Sequence, residues 1–589
     1  MTIDTKPPAP WISATRIIML AAPALTVLVL IFMYGVNVPF WDQWQGVPPL
    51  IEKMKNGTLG LSDFFAQHNE HRIFFPRLVM FGLALLTHWN IKVELFTSWA
   101  LACICAYNLW RLCRVTGFGG SDTGFWLLFA ANVLLFTPLQ SENWLWGFQI
   151  GFFLPLAAFT SLLWVVASSR TSVAFVAAIV FSMIGNFSIA SGFIFWLLAL
   201  LLLLFPNGRF NCQGRKGWLI LFFLIFIGAQ ILYLWNYKKP AHCPDPLIAL
   251  RQPREAMEYI LAYFGSAFAW GTAFGSVSVA IMVGAILVIL FGICIAYLFV
   301  CRKDFILVKR ALPWVALCLF SLSMSIVTAV GRMGFGTSQA LASRYVTFSV
   351  MMPVGLLFLI PLVFIHWRER NTFRQYLAPV RTSIISVTSI LGALLVLSSV
   401  ASLRVWASTR HNRICGKALI QLINVIEDST DFGQYVGTRE EVCKQMAQLG
   451  YLQSSLVKTK LIHEIAKPTL PGKLTAGFLD QLTQSGDGHF SVSGWSVLPE
   501  RKEGAVVTLL TYDDDYGQAN IFAMAIENTP RPDVASGLKT EGYLDSGWSS
   551  TIETKLLPPG RRTIRAWAFN PETCRAFELS GTKFITVTL

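Results

Sequence analysis

Charge is what this chain has least of. Asp, Glu, Lys and Arg make up 14% of its 589 residues, whereas hydrophobic side chains make up 54%, far more apolar surface than a soluble core could hide. With a mean hydropathy of +0.55, a polytopic membrane protein is expected. Acidic residues are the scarcer sign, 33 against 47 Lys and Arg. The resulting surplus would suit nucleic acid, but the basic residues stand in short loops at alternate ends of apolar runs, where they set membrane orientation. No nucleic-acid partner is expected. None of the 11 cysteines forms a CxxC pair, and Cys103, Cys105, Cys113, Cys294, Cys301 and Cys318 fall in or beside apolar runs as packing residues. There is no GxxxxGK[ST] phosphate loop. The first apolar run lacks a small-residue cleavage site and is long for a signal peptide, so it reads as a retained anchor.

What is present is a series of apolar runs, mostly 16–25 residues long, the length of helices crossing a core about 30 Å thick at a rise of about 1.5 Å per residue. Basic residues mark four cytoplasmic loops: Arg111 and Arg114; Arg209, Arg215 and Lys216; Arg302, Lys303, Lys309 and Arg310; Arg368, Arg370, Arg374 and Arg381. With the amino terminus also inside, eleven crossings follow, at 14–35, 91–110, 125–140, 146–168, 171–187, 190–205, 217–236, 275–300, 311–330, 345–366 and 383–405. Two further runs, 73–88 and 256–271, would break the alternation and are expected to dip into the outer leaflet or lie on it.

After the last crossing the composition changes. The expected division is a transmembrane domain over 1–405, a helical segment and linker over 406–485, and an extracytoplasmic β-sandwich over 486–589. Strands are expected at 489–497, 505–513, 519–526, 547–554, 562–569 and 582–588, separated by Gly, Pro and Asp turns. Trp495, Trp548 and Trp567 would either fill the sandwich or offer a sugar-stacking face. Cys415 and Cys443, in an oxidising outer compartment, are candidate disulfide partners.

This topology collects the polar residues that could carry chemistry on the outer side. Asp42 follows the first span, wedged between Trp41 and Trp44; a carboxylate beside an apolar span loses solvation and is a candidate general base. Its alternative reading is a helix cap among interfacial aromatics. Glu142 stands in the next outer loop, to orient an acceptor, to share a divalent metal ion with Asp42, or simply to cap a helix. The cluster His68, Asn69, Glu70, His71, Arg72 offers a polar collar for phosphate or acceptor; His68 and His71, at i and i+3, could share a helix face, but two His and one Glu are a weak metal signal. Arg332 and Arg344, on the outside against the positive-inside tendency, are phosphate binders by their planar forks of donors, with Arg72 as a third. Asn186 would add a hydrogen bond.

An Asp just after the first span, a polar loop ending in His before a non-spanning helix, a span ending in basic residues and an acid in the next outer loop together resemble the GT-C glycosyltransferases. Protein O-mannosyltransferases and lipid A aminoarabinose transferases are nearest in layout, over residues 14–170. The resemblance implies a GT-C-like fold, a catalytic role for Asp42 and a second acidic position at Glu142. His71 falls where that family often has a His followed by prolines; here His71-Arg72-Ile73-Phe74-Phe75-Pro76 departs. It further implies a bacterial inner-membrane enzyme that takes a sugar from a polyprenyl-phosphate donor and passes it, with inversion, to an envelope glycan such as O-antigen. A lipid-linked glycan flippase or an O-antigen polymerase or ligase are the rival readings.

Overall fold

The computed structural model describes residues 10–205, 215–241, 243–270, 276–370, 377–426, 431–467, 475–486 and 488–587. Arg209 and Arg374 of the expected basic loops lie outside them. The chain forms two compact units. One, predominantly helical, comprises Met1–Gly35, Pro49–Leu83 and Lys92–Ala407; the other joins Val36–Pro48 and Ala84–Ile91 to Ser408–Leu589.

By length and composition, 9 helices among the described residues can cross a membrane. Eleven crossings were expected. The difference lies at Thr171–Asn186 and Phe193–Leu204, whose 16 and 12 residues reach only about 24 and 18 Å at 1.5 Å per residue. They pack together as a short hairpin against the longer helices.

The two runs expected not to cross are also short. Phe74–Thr87 has 14 residues and Pro253–Gly265 has 13. Ala84–Ile91 shares a compact unit with Val36–Pro48, and the Thr87 carbonyl accepts a hydrogen bond of 2.5 Å from Gln453 Nε2. The chain between the first helix and Ile91–Cys113 thus begins and ends in one unit. Pro253–Gly265 packs along Ser276–Val300. A Cβ on Gly284 would overlap the Leu261 carbonyl, so the close approach of the two helices requires glycine there.

The second unit contains β1 Gly477–Gly486, β2 His489–Leu498, β3 Glu503–Gly504, β4 Val507–Asp513, β5 Ala519–Ala525, β6 Glu527–Thr529, β7 Gly547–Glu553, β8 Gly560–Asn570, β9 Arg575–Glu578 and β10 Lys583–Val587. All pair antiparallel, in two sheets ordered β1-β2-β7-β6 and β10-β8-β4-β5, with β3 added to β2 and β9 to β8. Leu479, Val492, Trp548 and Ile552 of the first sheet share a core with Leu510, Ile564, Ala566 and Ile585 of the second, which makes the pair a sandwich. All six expected strands are present. The linker expected at the end of 406–485 is corrected: from Gly477 the chain is β1, a polar strand whose buried residues alternate only at its start.

Trp548 and Trp567 are buried, the first in the inter-sheet core and the second bonded through Nε1 to Thr511 Oγ1 at 3.0 Å, so of their two readings they take the volume-filling one. The expected disulfide is corrected. Cys415 and Cys443 are separate buried thiols. Cys415 packs among Ala418, Leu422 and Val425 on the helix that continues past Ser408, a cluster that does not include Cys443.

Candidate functional site

In the helical unit, the turn His68 to His71 is the starting point. His68 and His71 exchange both backbone hydrogen bonds, each at 2.8 Å, and Asn69 takes φ 49°, a left-handed conformation that Asn tolerates. The two histidines therefore close a tight turn and do not share a helix face. His68 is buried, its ring 5.0 Å from that of Phe148. His71 accepts the Ala190 N–H at Nδ1 over 2.9 Å, so the neutral ring carries its proton on Nε2. That nitrogen is 3.4 Å from Glu70 Oε1.

Glu70 is the hub of the turn. Its carboxylate is paired with Arg332, which ends the long helix Phe305–Arg332, and Oε2 accepts from Cys243 Sγ at 3.7 Å. Arg332 also reaches Cys243 Sγ, at 3.6 Å. Burial alone would push the Glu70 carboxyl up, but His71 and Arg332 outweigh it and hold it below the usual glutamate range. The Cys243 thiol moves the other way, pushed up by burial and then by the Glu70 charge. A carboxylate, a guanidinium, an imidazole and a thiol donor thus meet at one point.

A second arginine–carboxylate pair lies in the same unit. Glu142 Oε1 is 2.9 Å from Arg344 Nη1, and Ser343 Oγ donates to Glu142 Oε2 at 3.3 Å. Asn143 fixes the backbone beside it, donating to the Arg344 carbonyl at 2.9 Å and to Thr347 Oγ1 at 2.6 Å, and Thr347 in turn donates to Gln140 Oε1 at 2.5 Å. The turns Met333–Phe335, Thr337–Leu341 and Ser343–Tyr345 carry the chain from one arginine to the other. The Arg344 guanidinium lies 5.2 Å from the Tyr345 ring centroid. Both pairs keep partial access to solvent: the four side chains are between 20% and 32% exposed.

Arg72, expected to bind phosphate, has a different place. Its Nε donates to the Tyr233 carbonyl at 2.5 Å, Nη1 to Phe65 at 2.7 Å and Nη2 to the Trp235 carbonyl. It clasps the free carbonyls at the end of Lys216–Leu234, and the site loses it as a ligand group. Asn186 is buried and accepts from Gln230 Nε2 at 2.7 Å; its Nδ2 has no partner among the described residues.

Asp42 belongs to the other unit. It opens the one-turn helix Asp42–Gly46 after Trp41, which adopts φ 46°, an uncommon conformation for a bulky residue. The Trp41 N–H donates to the Val436 carbonyl at 3.2 Å, and the Arg413 guanidinium stacks 3.3 Å from the Phe40 ring centroid, a cation–π contact. This ties the loop to the chain beyond Ser408.

Among the described residues, no group of three or more His, Cys, Asp or Glu could hold a metal ion. Glu142, named for a metal on sequence grounds, faces a cation instead. Sequence reasoning named Glu70, His71, Glu142, Arg332 and Arg344 but missed Cys243, Ser343, Gln140, Thr347 and Gln230, which carry no local signal. No family model, curated protein or solved structure matches the chain.

Proposed function

We propose that the protein is an integral membrane glycosyltransferase of the GT-C type, which takes a sugar from a polyprenyl-phosphate donor and transfers it to an envelope glycan on the outer face of a bacterial inner membrane. The observation that supports this reading best is the pair of carboxylate-held arginines, Arg332 and Arg344, joined by a short run of turns in a multi-helix membrane body. An arginine fork matches phosphate oxygens. Each carboxylate occupies one part of a guanidinium, which orients it and offsets the cost of a bare cation beside lipid; the leaving phosphate would take up the remaining donor capacity, displacing the weak Arg332–Cys243 contact.

The sugar–phosphate bond has a good leaving group, so the reaction asks for charge stabilisation at the phosphate and a base for the acceptor hydroxyl. Arg332 and Arg344 would supply the first. Asp42 is the proposed base on the sequence argument and the layout resemblance. Direct attack by the acceptor oxygen would break the anomeric bond with inversion and release polyprenyl phosphate.

The test uses the full-length protein in liposomes with a defined polyprenyl-phosphate sugar. Release of polyprenyl phosphate should need acceptor and should vanish in Asp42→Asn while the variant keeps its melting temperature. Unchanged turnover in that variant would remove Asp42 as base. Envelope glycans made with and without the protein separate the rivals: a lost side branch supports decoration, and shortened chains support polymerisation.

A further inference from the structure

At the opposite end of the same long helices, arginines stand in the contrary electrostatic state. Phe305–Arg332 carries Arg332 at its carboxy-terminal end; its amino-terminal turns, with Lys309 and Arg310, line a cavity of about 1130 Å³. Arg170 and Arg215 line it too, as do the hydroxyls of Thr116, Ser168, Ser169 and Thr171. Among the described residues, no acidic residue is part of the wall. Among the described residues, Arg170, Arg215 and Arg310 have no carboxylate partner. The nearest acid in sequence, Asp304, caps Leu307 at 3.1 Å and is held by His366 and Arg370, each at 3.0 Å.

Three helices begin at this cavity: Thr171–Asn186, Lys216–Leu234 and Phe305–Arg332. Their first turns present backbone N–H groups and the positive ends of their dipoles. Arg215 is oriented by Thr171 Oγ1 at 3.2 Å and the Leu203 carbonyl at 3.3 Å. Arg310 lies against Gly117, which has φ +96° and whose missing Cβ would come within 3.2 Å of the Arg310 Cζ. The remaining wall is apolar, including Val115, Val166, Leu202, Ile306 and Leu312.

Three arginines gathered without a carboxylate partner among the described residues cost free energy beside lipid. An anion with several acceptor oxygens would relieve that, and an apolar wall next to the cations suits an amphiphile better than a free ion. We propose that this cavity binds the phosphate of an anionic lipid headgroup, separately from the transferase site and independently of that reading.

The experiment is native mass spectrometry of the full-length protein in detergent with phosphatidylglycerol or phosphatidylcholine of matched chains. Wild type should retain phosphatidylglycerol about ten-fold or more over phosphatidylcholine, and the Arg170→Gln/Arg310→Gln variant should fall to near parity. The Arg170→Lys/Arg310→Lys variant should keep the preference, which separates loss of charge from loss of fold. Adding inorganic phosphate distinguishes the sources: displacement of the lipid means that the phosphate group alone is recognised, and persistence means that the whole headgroup is. Parity in wild type, or a preference unchanged in the glutamine variant, would overturn the proposal.

Discussion

The two ends of the helical unit use the same residue in opposite ways. At one end Arg332 and Arg344 are each held by a glutamate; at the other Arg170, Arg215 and Arg310 share a cavity wall that has no acid among the described residues. A held arginine is a placed cation whose pair carries little net charge, suited to a ligand that comes and goes during a reaction. An arginine without counter-charge is a source of positive potential and suits an anion that stays. The difference shows why a count of basic residues alone could not separate roles: arginine marks both ends, and the partner carboxylate marks one.

The largest expected contrast in stability is between Arg332→Gln and Arg310→Gln. The first leaves Glu70 half-buried without its cation and should lower stability by about 3 kcal/mol, seen as a fall in melting temperature. The second removes one of several like charges and should leave the melting temperature unchanged or raise it. Equal losses at both ends would erase the distinction.

A smaller effect is expected from pH. The Glu70 carboxyl sits below the usual glutamate range in the folded protein, so its stabilising contribution is fully present above the ordinary value of about 4.3 and is lost as pH falls through its lowered value. The difference in melting temperature between wild type and Glu70→Gln should therefore persist at neutral pH and shrink below about pH 4. A difference that instead grows on acidification would contradict the pairing. Smallest should be the stability effect of Ser343→Ala. It removes one hydrogen bond to a carboxylate that keeps its arginine, and about 1 kcal/mol is expected from chemical denaturation.

Much of the fold could be read from the chain because membrane helices and strands carry their signal locally. Period-two alternation placed six strands, and apolar length placed the long helices. The helices Thr171–Asn186 and Phe193–Leu204 fall outside the nine candidates by length, because an apolar run of 16 residues is near the length at which crossing begins. β1 was read as a linker because its Asp, Gln, Thr and Ser residues hide its alternation.

The site was partly readable for a related reason. Glu70, Glu142, Arg332 and Arg344 stood out as polar residues at helix ends, but their partners are 262 and 202 residues apart, and no spacing rule joins them. The histidines carried a misleading local signal: a spacing of three suits a helix face, while Asn69 between them suits the left-handed turn that forms. Arg72 stood out by charge alone, and only the carbonyls at the end of Lys216–Leu234 reveal its clasp.

The central claim is that the carboxylate-held arginines stabilise a leaving polyprenyl phosphate. It is tested most directly by the rate of polyprenyl-phosphate release from a defined lipid-linked sugar by wild type and Arg344→Gln. The account expects acceptor-dependent release with an inverted product, and a fall of about 100-fold in kcat in the variant. Release by the variant at the wild-type rate, or none by wild type with any sugar donor of this class, would contradict it.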